Sequence, residues 1–285
     1  MSTPFAEVIG DPVAQSRSPA IHRFWLGKLG LEADYRATRV TEGELADYLA
    51  QRRDDPDWRG CNVTMPLKGA VLDHIDQCSD GAQATGSVNT VTRAEDGRLL
   101  ATSTDGAGFL EPLAMQLQTP HLFRMARILG AGGAARAIAY ALAQRNFTLV
   151  IAARRTEQAQ DLVQRLPSAT EAHIVPLAHF ATPTDFAFDD REGLLDLVVN
   201  ASPLGMRGKA ELVFDWSHAP PGAIAYDIVT DPLDTPFLAN ARAAGHETID
   251  GLAMLIGQAA EAFRLFFGEA PPRQHDAELR ALLAR

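Results

Sequence analysis

The stretch that most restricts how this chain can fold is Ile128 to Ala141, I-L-G-A-G-G-A-A-R-A-I-A-Y-A. An apolar run, Met125 to Leu129 with Arg127 inside it, meets Gly130-Ala131-Gly132-Gly133, and an Ala-rich helical segment follows at once. That order reads as the strand, glycine turn and helix of a dinucleotide-binding βαβ unit. Each small residue has a physical task. Gly130 allows the tight turn off the strand. Gly132 carries no Cβ, so a pyrophosphate can approach the backbone. Ala135 stands where a third small residue lets helix and strand pack closely, giving the pattern G-x-G-x-x-A. The helix start, at Gly133 and Ala134, offers unpaired N–H groups and a positive dipole end to phosphate. A glycine-rich turn in any α/β protein would show the same letters, so the next segment carries weight.

After the helix come Asn146-Phe147 and a second buried strand, Thr148 to Ala153. In a NAD-binding unit an Asp or Glu closes this strand, about 20 residues past the glycines, and holds the ribose 2′-hydroxyl. Here the strand ends Ala153-Arg154-Arg155-Thr156, with no carboxylate until Glu157. Two guanidiniums at that end suit a 2′-phosphate, because Arg pairs with phosphate through fixed, bidentate donors. The expected cofactor is therefore NADP. The competing reading is a solvated basic loop opening a helix from Glu157 to Leu166.

The 285 residues allow one large or two ordinary domains. The balance of 26 basic and 36 acidic residues, a net charge of -10, argues against a nucleic-acid or anionic-membrane surface. It leaves room for a local basic pocket. Cys61 and Cys78 have no metal-ligand spacing and no C-x-x-C relation, so no metal is expected and reduced thiols in the cytoplasm are the default. The N-terminus shows no secretory signal, and no apolar run approaches the ~18 residues of a membrane span.

Along the chain, Phe5 to Gly10 reads as a first strand. Ser18 before Pro19 reads as the start of a helix running to Leu29, with Ser18 its cap. The sharper reading has Ser16 and Ser18 donating to a ligand carboxylate. Asp34 to Val40 is a strand, Glu42 to Arg53 an amphipathic helix, and Gly60 to Thr64 a strand stopped by Met65-Pro66. Lys68 then sits in the first turn of a helix, an unfavourable place beside the dipole and so a hint of function. Ala82 to Thr92 reads as a turn into a strand, in which Asn89 must find partners if buried. Glu95-Asp96-Gly97 is a hairpin turn to Leu99–Thr102. Asp105 precedes a helix over 108–117 and reads equally as its cap or as a catalyst. Pro176 to Arg191 reads as irregular, anchored by Phe180, Phe186 and Phe188. Leu194 to Ala201 is a strand ending in a polar turn at Asn200, the kind of strand end where open α/β sheets bind ligands. A strand over 223–229, a helix from Thr235-Pro236 to Ala244, a short strand over 246–249 and a long helix over 251–267 complete the chain. Gln258 lies two turns after Gly251 on that last helix, so both can face one cleft.

These patterns together resemble the shikimate dehydrogenases. The matching pieces are S-R-S-P at 16–19, N-V-T-M-P-L-K at 62–68, G-S-V-N-T at 86–90, T-D-G at 104–106, G-A-G-G-A-A-R at 130–136, N-A-S-P-L-G-M at 200–206 and G-L-A-M-L-I-G-Q at 251–258. Each is weak alone; in the family's order over nearly the whole chain they are specific. The resemblance implies an α/β fold of two domains. One is an N-terminal α/β substrate domain, residues 1–105 plus 251–285. The other is a Rossmann-type NADP-binding domain, residues 106–250. It implies reversible, NADP-dependent reduction of 3-dehydroshikimate to shikimate, in aromatic amino-acid biosynthesis. Lys68 and Asp105 match the catalytic pair, Ser16 and Ser18 the carboxylate contacts, and Thr64, Asn89 and Gln258 the hydroxyl contacts. Arg154 matches the arginine that meets the 2′-phosphate, with Arg155 added after it. Gly130, Gly132, Gly133, Ala134, Asn200, Thr230 and Gly251 fall on the cofactor side. No metal is required, since the cofactor carries the redox chemistry. The partner is a small-molecule substrate, with no nucleic acid and no membrane, in a cytoplasmic monomer or homodimer.

Three positions depart from the family's usual residues: Ser103 and Ala153 stand where Asn is usual, and Thr230 where Tyr is common. Thr230 loosens a substrate or nicotinamide contact and leaves quinate open as a second substrate. The competing functions are a quinate/shikimate dehydrogenase of broader use and a catalytically idle NADP-binding relative. Lys68, Asp105 and both serines argue against the idle form.

Overall fold

A computed structural model of the chain describes residues 3–186, 188 and 193–284. By its internal contacts the chain divides into two compact units, Met1–Gly108 with Ile256–Arg285, and Phe109–Leu255.

The first unit begins β1 (Phe5–Gly10), α1 (Ser18–Leu29), β2 (Asp34–Arg39), α2 (Leu45–Arg53), β3 (Trp58–Val63), α3 (Leu67–Ala70), β4 (Gln77–Cys78), α4 (Asp80–Thr85), β5 (Thr90–Arg93), β6 (Leu99–Thr102) and α5 (Asp105–Leu110). Its sheet has six strands in the order β2-β1-β3-β5-β6-β4. β1 runs parallel to both neighbours, and β5 is antiparallel to β3 and β6. Alternation along β1 feeds two cores. Phe5 and Ile9 join Leu45, Leu49, Leu67 and Val91 on one side, while Ala6 and Val8 join Tyr35, Ala262 and Phe266 on the other. Glu7 lies between Phe5 and Ile9 and is fully buried; its carboxylate accepts from Tyr48 Oη and Arg52 Nε, both at 2.7 Å. A buried charge is tolerable only when paired in this way.

The second unit holds α6 (Ala114–Gln118), β7 (Phe123–Leu129), α7 (Gly133–Ala143), β8 (Thr148–Ala153), α8 (Thr156–Gln164), β9 (Ala172–Pro176), β10 (Leu194–Asn200), β11 (Ile224–Asp227), α9 (Pro236–Ala243) and β12 (Glu247–Ile249). Every pairing is parallel, in the order β12-β11-β10-β7-β8-β9. The direction of winding reverses between β7 and β10, the point where doubly wound sheets take ligands at their carboxyl ends. Arg127, the charge inside the apolar run, is buried and ion-paired with Asp196 of the adjacent β10. The chain closes with α10 (Gly251–Phe267) and α11 (Asp276–Leu283). α11 is tied to α1 through Lys28–Glu278 at 2.7 Å and Arg17 Nη1 donating to Leu283 O at 2.9 Å.

Several local expectations need correction. The stretch expected to be a turn before β5 contains α4, which opens at Asp80 with the Ser79 hydroxyl accepting from Ala82 N at 3.4 Å. The single helix expected over 108–117 starts earlier, at Asp105, and is interrupted at Glu111–Leu113, where Pro112 lacks the N–H a continuous helix needs. The short strands β4 and β9 lack a pattern long enough to announce them. Of the aromatic residues expected to anchor the irregular stretch, Phe180 is buried against Phe214 at 5.4 Å, but Phe186 is 61% exposed. Residues 187 and 189–191 of that stretch lie outside the described residues.

Candidate active site

β3 ends at Val63, and Thr64 N still donates to Ile9 O at 2.9 Å before Met65-Pro66 turn the chain into α3. Lys68 therefore leaves the first turn of a short helix with its backbone fixed, its carbonyl accepting from Val88 N at 2.9 Å. Its side chain is only 19% exposed and donates from Nζ to Asp105 Oδ2. Asp105 is itself the first residue of α5 and only 7% exposed. Its other oxygen accepts from Asn89 Nδ2 at 2.9 Å. Both carboxylate oxygens thus face side chains from elsewhere in the chain.

Asn89 joins the pair to its surroundings. Its amide nitrogen also lies 2.9 Å from Thr104 Oγ1 and 3.1 Å from Gln258 Oε1. Its carbonyl accepts from Thr104 N at 2.7 Å and from Thr90 Oγ1 at 2.9 Å. The backbone donor fixes which end of the amide points where, since an N–H cannot accept. Gln258 reaches this cluster because Gly108 has no side chain: a Cβ there would stand 2.3 Å from Gln258 N.

Behind the cluster runs a line that the motif reading did not single out. Asn62 Nδ2 donates to Thr90 Oγ1 at 3.0 Å and to Asn89 O at 3.2 Å, and Asn62 Oδ1 accepts from Tyr35 Oη at 2.6 Å. The Tyr35 ring stacks on His22, with centroids 3.9 Å apart and planes 5° from parallel. Burial pushes the His22 pKa down to about 3, so the imidazole is neutral. Burial, with Cys61 and Glu7 nearby, holds the phenol of Tyr35 well above its ordinary range, so it remains a donor. Asn62, Thr90 and Thr104 carried the same signal as Asn89, a polar side chain within an apolar strand or turn that must find partners.

The serines sit at the start of α1. Ser18 is the first helical residue rather than the cap, which is Arg17, and Ser18 N donates to Ser16 Oγ at 3.3 Å. Ser18 is buried with its hydroxyl beside the Tyr35 phenol, and Ser16 is half-buried. Thr64 is half-buried, two residues beyond Asn62. Of the expected substrate residues, direct contacts join Lys68, Asp105, Asn89 and Gln258. Ser18 connects to them through Tyr35 and Asn62.

In the second unit the expected cofactor residues gather at the carboxyl ends of the parallel strands. Gly130 leaves β7 at φ +133°, and a Cβ would lie 2.6 Å from Ala201 O at the end of β10. That glycine is required by packing and conformation. Gly132 differs: beyond its immediate chain neighbours, no atom of the described residues lies within 4 Å of where its Cβ would be. Gly133 and Ala134 open α7 beside that space. Arg154 and Arg155 follow β8, both exposed, with no ion-pair partner among the described residues. Open space at Gly132, the start of α7 and two free guanidiniums suit a dinucleotide bearing an extra phosphate. Asn200 is fully buried and shapes the turn after β10: its amide donates to Leu204 O and Asp227 Oδ1, and its carbonyl accepts from Ser202 N and Oγ. Burial raises the Asp227 pKa against the donors Thr235, Val229 N and Asn200. Thr230 follows that turn, half-buried. Gly251 opens α10 where a Cβ would meet Val229 O at 2.2 Å. Among the described residues no cluster of His, Cys, Asp and Glu could hold a metal, and no helix is long and apolar enough to cross a membrane.

Comparison with known proteins gives concordant findings. The family model "Shikimate dehydrogenase substrate binding domain" matches residues 8–91, and "Shikimate 5'-dehydrogenase C-terminal domain" matches residues 251–278. A shikimate dehydrogenase (NADP(+)) of Sphingopyxis alaskensis is 48% identical, over 99% of this chain and 97% of its own. The crystal structure of shikimate 5-dehydrogenase from Thermus thermophilus, in complex with NADP(H) and shikimate, is 35% identical with a TM-score of 0.82, covering 98% of this chain and 99% of its own. A quinate dehydrogenase from Corynebacterium glutamicum in complex with NAD is 29% identical, TM-score 0.78, covering 98% and 99%.

Proposed function

The chain belongs to the shikimate dehydrogenase family, and from that premise we propose that it catalyses the reversible, NADP-linked reduction of 3-dehydroshikimate to shikimate, with Lys68 and Asp105 as the catalytic pair. The observation that carries this reading is the Lys68–Asp105 ion pair, little exposed and fixed by Asn89. Reducing a ketone leaves an alkoxide that must take a proton as the hydride arrives. Lys68 Nζ is the donor of that proton, and in the oxidative direction it receives the hydroxyl proton. Asp105 holds the charged amine and aims it, because Oδ2 faces Lys68 while Oδ1 is fixed from behind. Ser16 and Ser18 bind the substrate carboxylate. Thr64 and Gln258 bind ring hydroxyls, and Asn89 shares its amide between Asp105 and the substrate.

NADPH bound in the second unit supplies the hydride. Gly130, Gly132, Gly133 and Ala134 leave room and N–H groups for the pyrophosphate, and Arg154 with Arg155 meets the 2′-phosphate. The turn after Asn200, Thr230 and Gly251 complete that side. Residues 1–105 plus 251–285 form the substrate domain and 106–250 the cofactor domain on this reading. Cys61 and Cys78 are both free, which fits a reducing compartment, and we place the enzyme in the cytoplasm as a monomer or homodimer. Reduction of NADP by shikimate, followed at the nicotinamide absorbance band, tests the assignment; an idle cofactor binder would give no turnover. Similarity to the quinate dehydrogenase, with Thr230 in place of the more usual Tyr, supports a broader reading in which quinate is oxidised as well. The same assay with quinate decides it.

A further inference from the structure

We propose that Tyr35 is a positioning residue for the reaction, holding Asp105, and through it Lys68, by a directed line of hydrogen bonds through Asn62, Thr90 and Asn89. The inference rests on the catalytic reading of Lys68 and Asp105. The direction of the line is its main feature. Tyr35 donates to Asn62, Asn62 to Thr90, Thr90 to Asn89, and Asn89 to Asp105 Oδ1. Every donor points the same way, and the line ends on the carboxylate whose other oxygen faces Lys68.

The members are dry. Tyr35 and Thr90 are fully buried, Asn89 is 3% exposed and Asn62 5%. In such surroundings an unmatched amide is costly, and each partner fixes the orientation of the next. Asn62 is the weak point. Its carbonyl takes its donor from the Tyr35 phenol, and without that hydroxyl the amide can turn over, bringing a carbonyl against Thr90 and reversing the line. The phenol is itself fixed, since its ring lies flat on His22 within a fully buried aromatic group. Neither His22 nitrogen has a partner, so His22 contributes a ring face and no proton. The Ser18 hydroxyl stands beside the phenol. Tyr35 therefore sits at the joint between the serine that reads the substrate carboxylate and the side chains that hold the proton-transfer pair.

The test is Tyr35→Phe, which keeps the ring and removes only the hydroxyl, measured in the full-length enzyme with shikimate and NADP. The expected result is a kcat lowered about 10-fold, with both KM values within about twofold, since the loss falls on transition-state positioning rather than on binding. Placed in an Asp105→Asn background, Tyr35→Phe should cause no further loss, because it acts through that carboxylate. Thr90→Val cuts the line at another link and should reproduce the kcat loss; it carries the test alone if Tyr35→Phe fails to fold. Wild-type kcat in the folded variants, or an equal loss in the Asp105→Asn background, would overturn the proposal and make Tyr35 a core residue only. Wild-type turnover by Asp105→Asn itself would instead remove the catalytic reading on which the proposal rests.

Discussion

At the scale of single residues, the site depends on where protons sit, and two predictions follow from burial and pairing. Lys68 is little exposed and its charge is matched by Asp105. Lys68→Ala should leave a folded protein with normal NADP affinity and a kcat at least ~100-fold lower, because on the proposed mechanism the amine acts mainly in the transition state. Asp105→Asn should also be slow, and the double variant little worse than the worse single one, since the two act as a unit. Steady-state rates decide this; losses that multiply would separate the pair. His22 makes the second prediction. In the folded chain burial keeps it neutral down to about pH 3, against an ordinary value of 6.5. Between those values the unfolded chain binds a proton that the folded chain does not. Stability from this residue is complete above 6.5 and declines as pH falls towards 3, by about 1.4 kcal/mol per pH unit well below 6.5. Urea unfolding of wild type and His22→Leu between about pH 7 and about pH 5 isolates the effect, and the variant should lack that share of the slope. Parallel curves would remove His22 as the source.

At the scale of elements, the glycine turn between β7 and α7 separates two kinds of necessity that the letters G-x-G cannot distinguish. Gly130 has a positive φ and faces the carbonyl of Ala201, whereas Gly132 is extended, with no atom of the described residues beyond its chain neighbours within 4 Å of a Cβ position. Gly130→Ala should destabilise the second unit by about 1–3 kcal/mol. Gly132→Ala should melt within a degree or so of wild type, yet weaken NADP at least ~10-fold, because the methyl occupies space a pyrophosphate needs. Thermal melts with and without NADP check both. What the sequence made legible follows the same division. The β7–α7–β8 unit was readable because its signals are local: an apolar strand, glycines at fixed offsets, then helical periodicity. The Tyr35 line was not, because its members meet only after folding. Tyr35 and Asn62 are 27 residues apart, and Asn89 and Gln258 are 169 apart. No local pattern records such pairs; each residue shows only that it is polar where its neighbours are apolar. α4 and the break at Pro112 were missed for another reason, since helices of one or two turns leave too few residues to show a period.

At the scale of the whole molecule, charge and cofactor choice pull in opposite directions. The chain carries a net charge of -10, so its long-range field disfavours every dinucleotide, and the one with an additional phosphate most of all. A preference for NADP must therefore be generated locally, and on the proposed reading its source is Arg154 with Arg155, two exposed guanidiniums free of ion-pair partners among the described residues. A phosphate contact of the charge-assisted kind gives roughly a 10- to 100-fold preference, less where water screens it. Replacing both arginines by Ala should weaken NADP by at least ~10-fold and NAD hardly at all, because NAD has no phosphate there to lose. Salt distinguishes the local attraction from the general repulsion. Added salt screens the net charge, which helps both cofactors, and it screens the arginine–phosphate contacts, which harms NADP alone. The ratio of kcat/KM for NADP over NAD should therefore fall as salt rises in the wild type, whereas in the double variant, where only the repulsion of the extra phosphate is left to screen, it should rise slightly. A wild-type enzyme that uses NAD and NADP equally well at low salt would make Arg154 and Arg155 a solvated loop, and the selectivity would have to be sought elsewhere in the second unit.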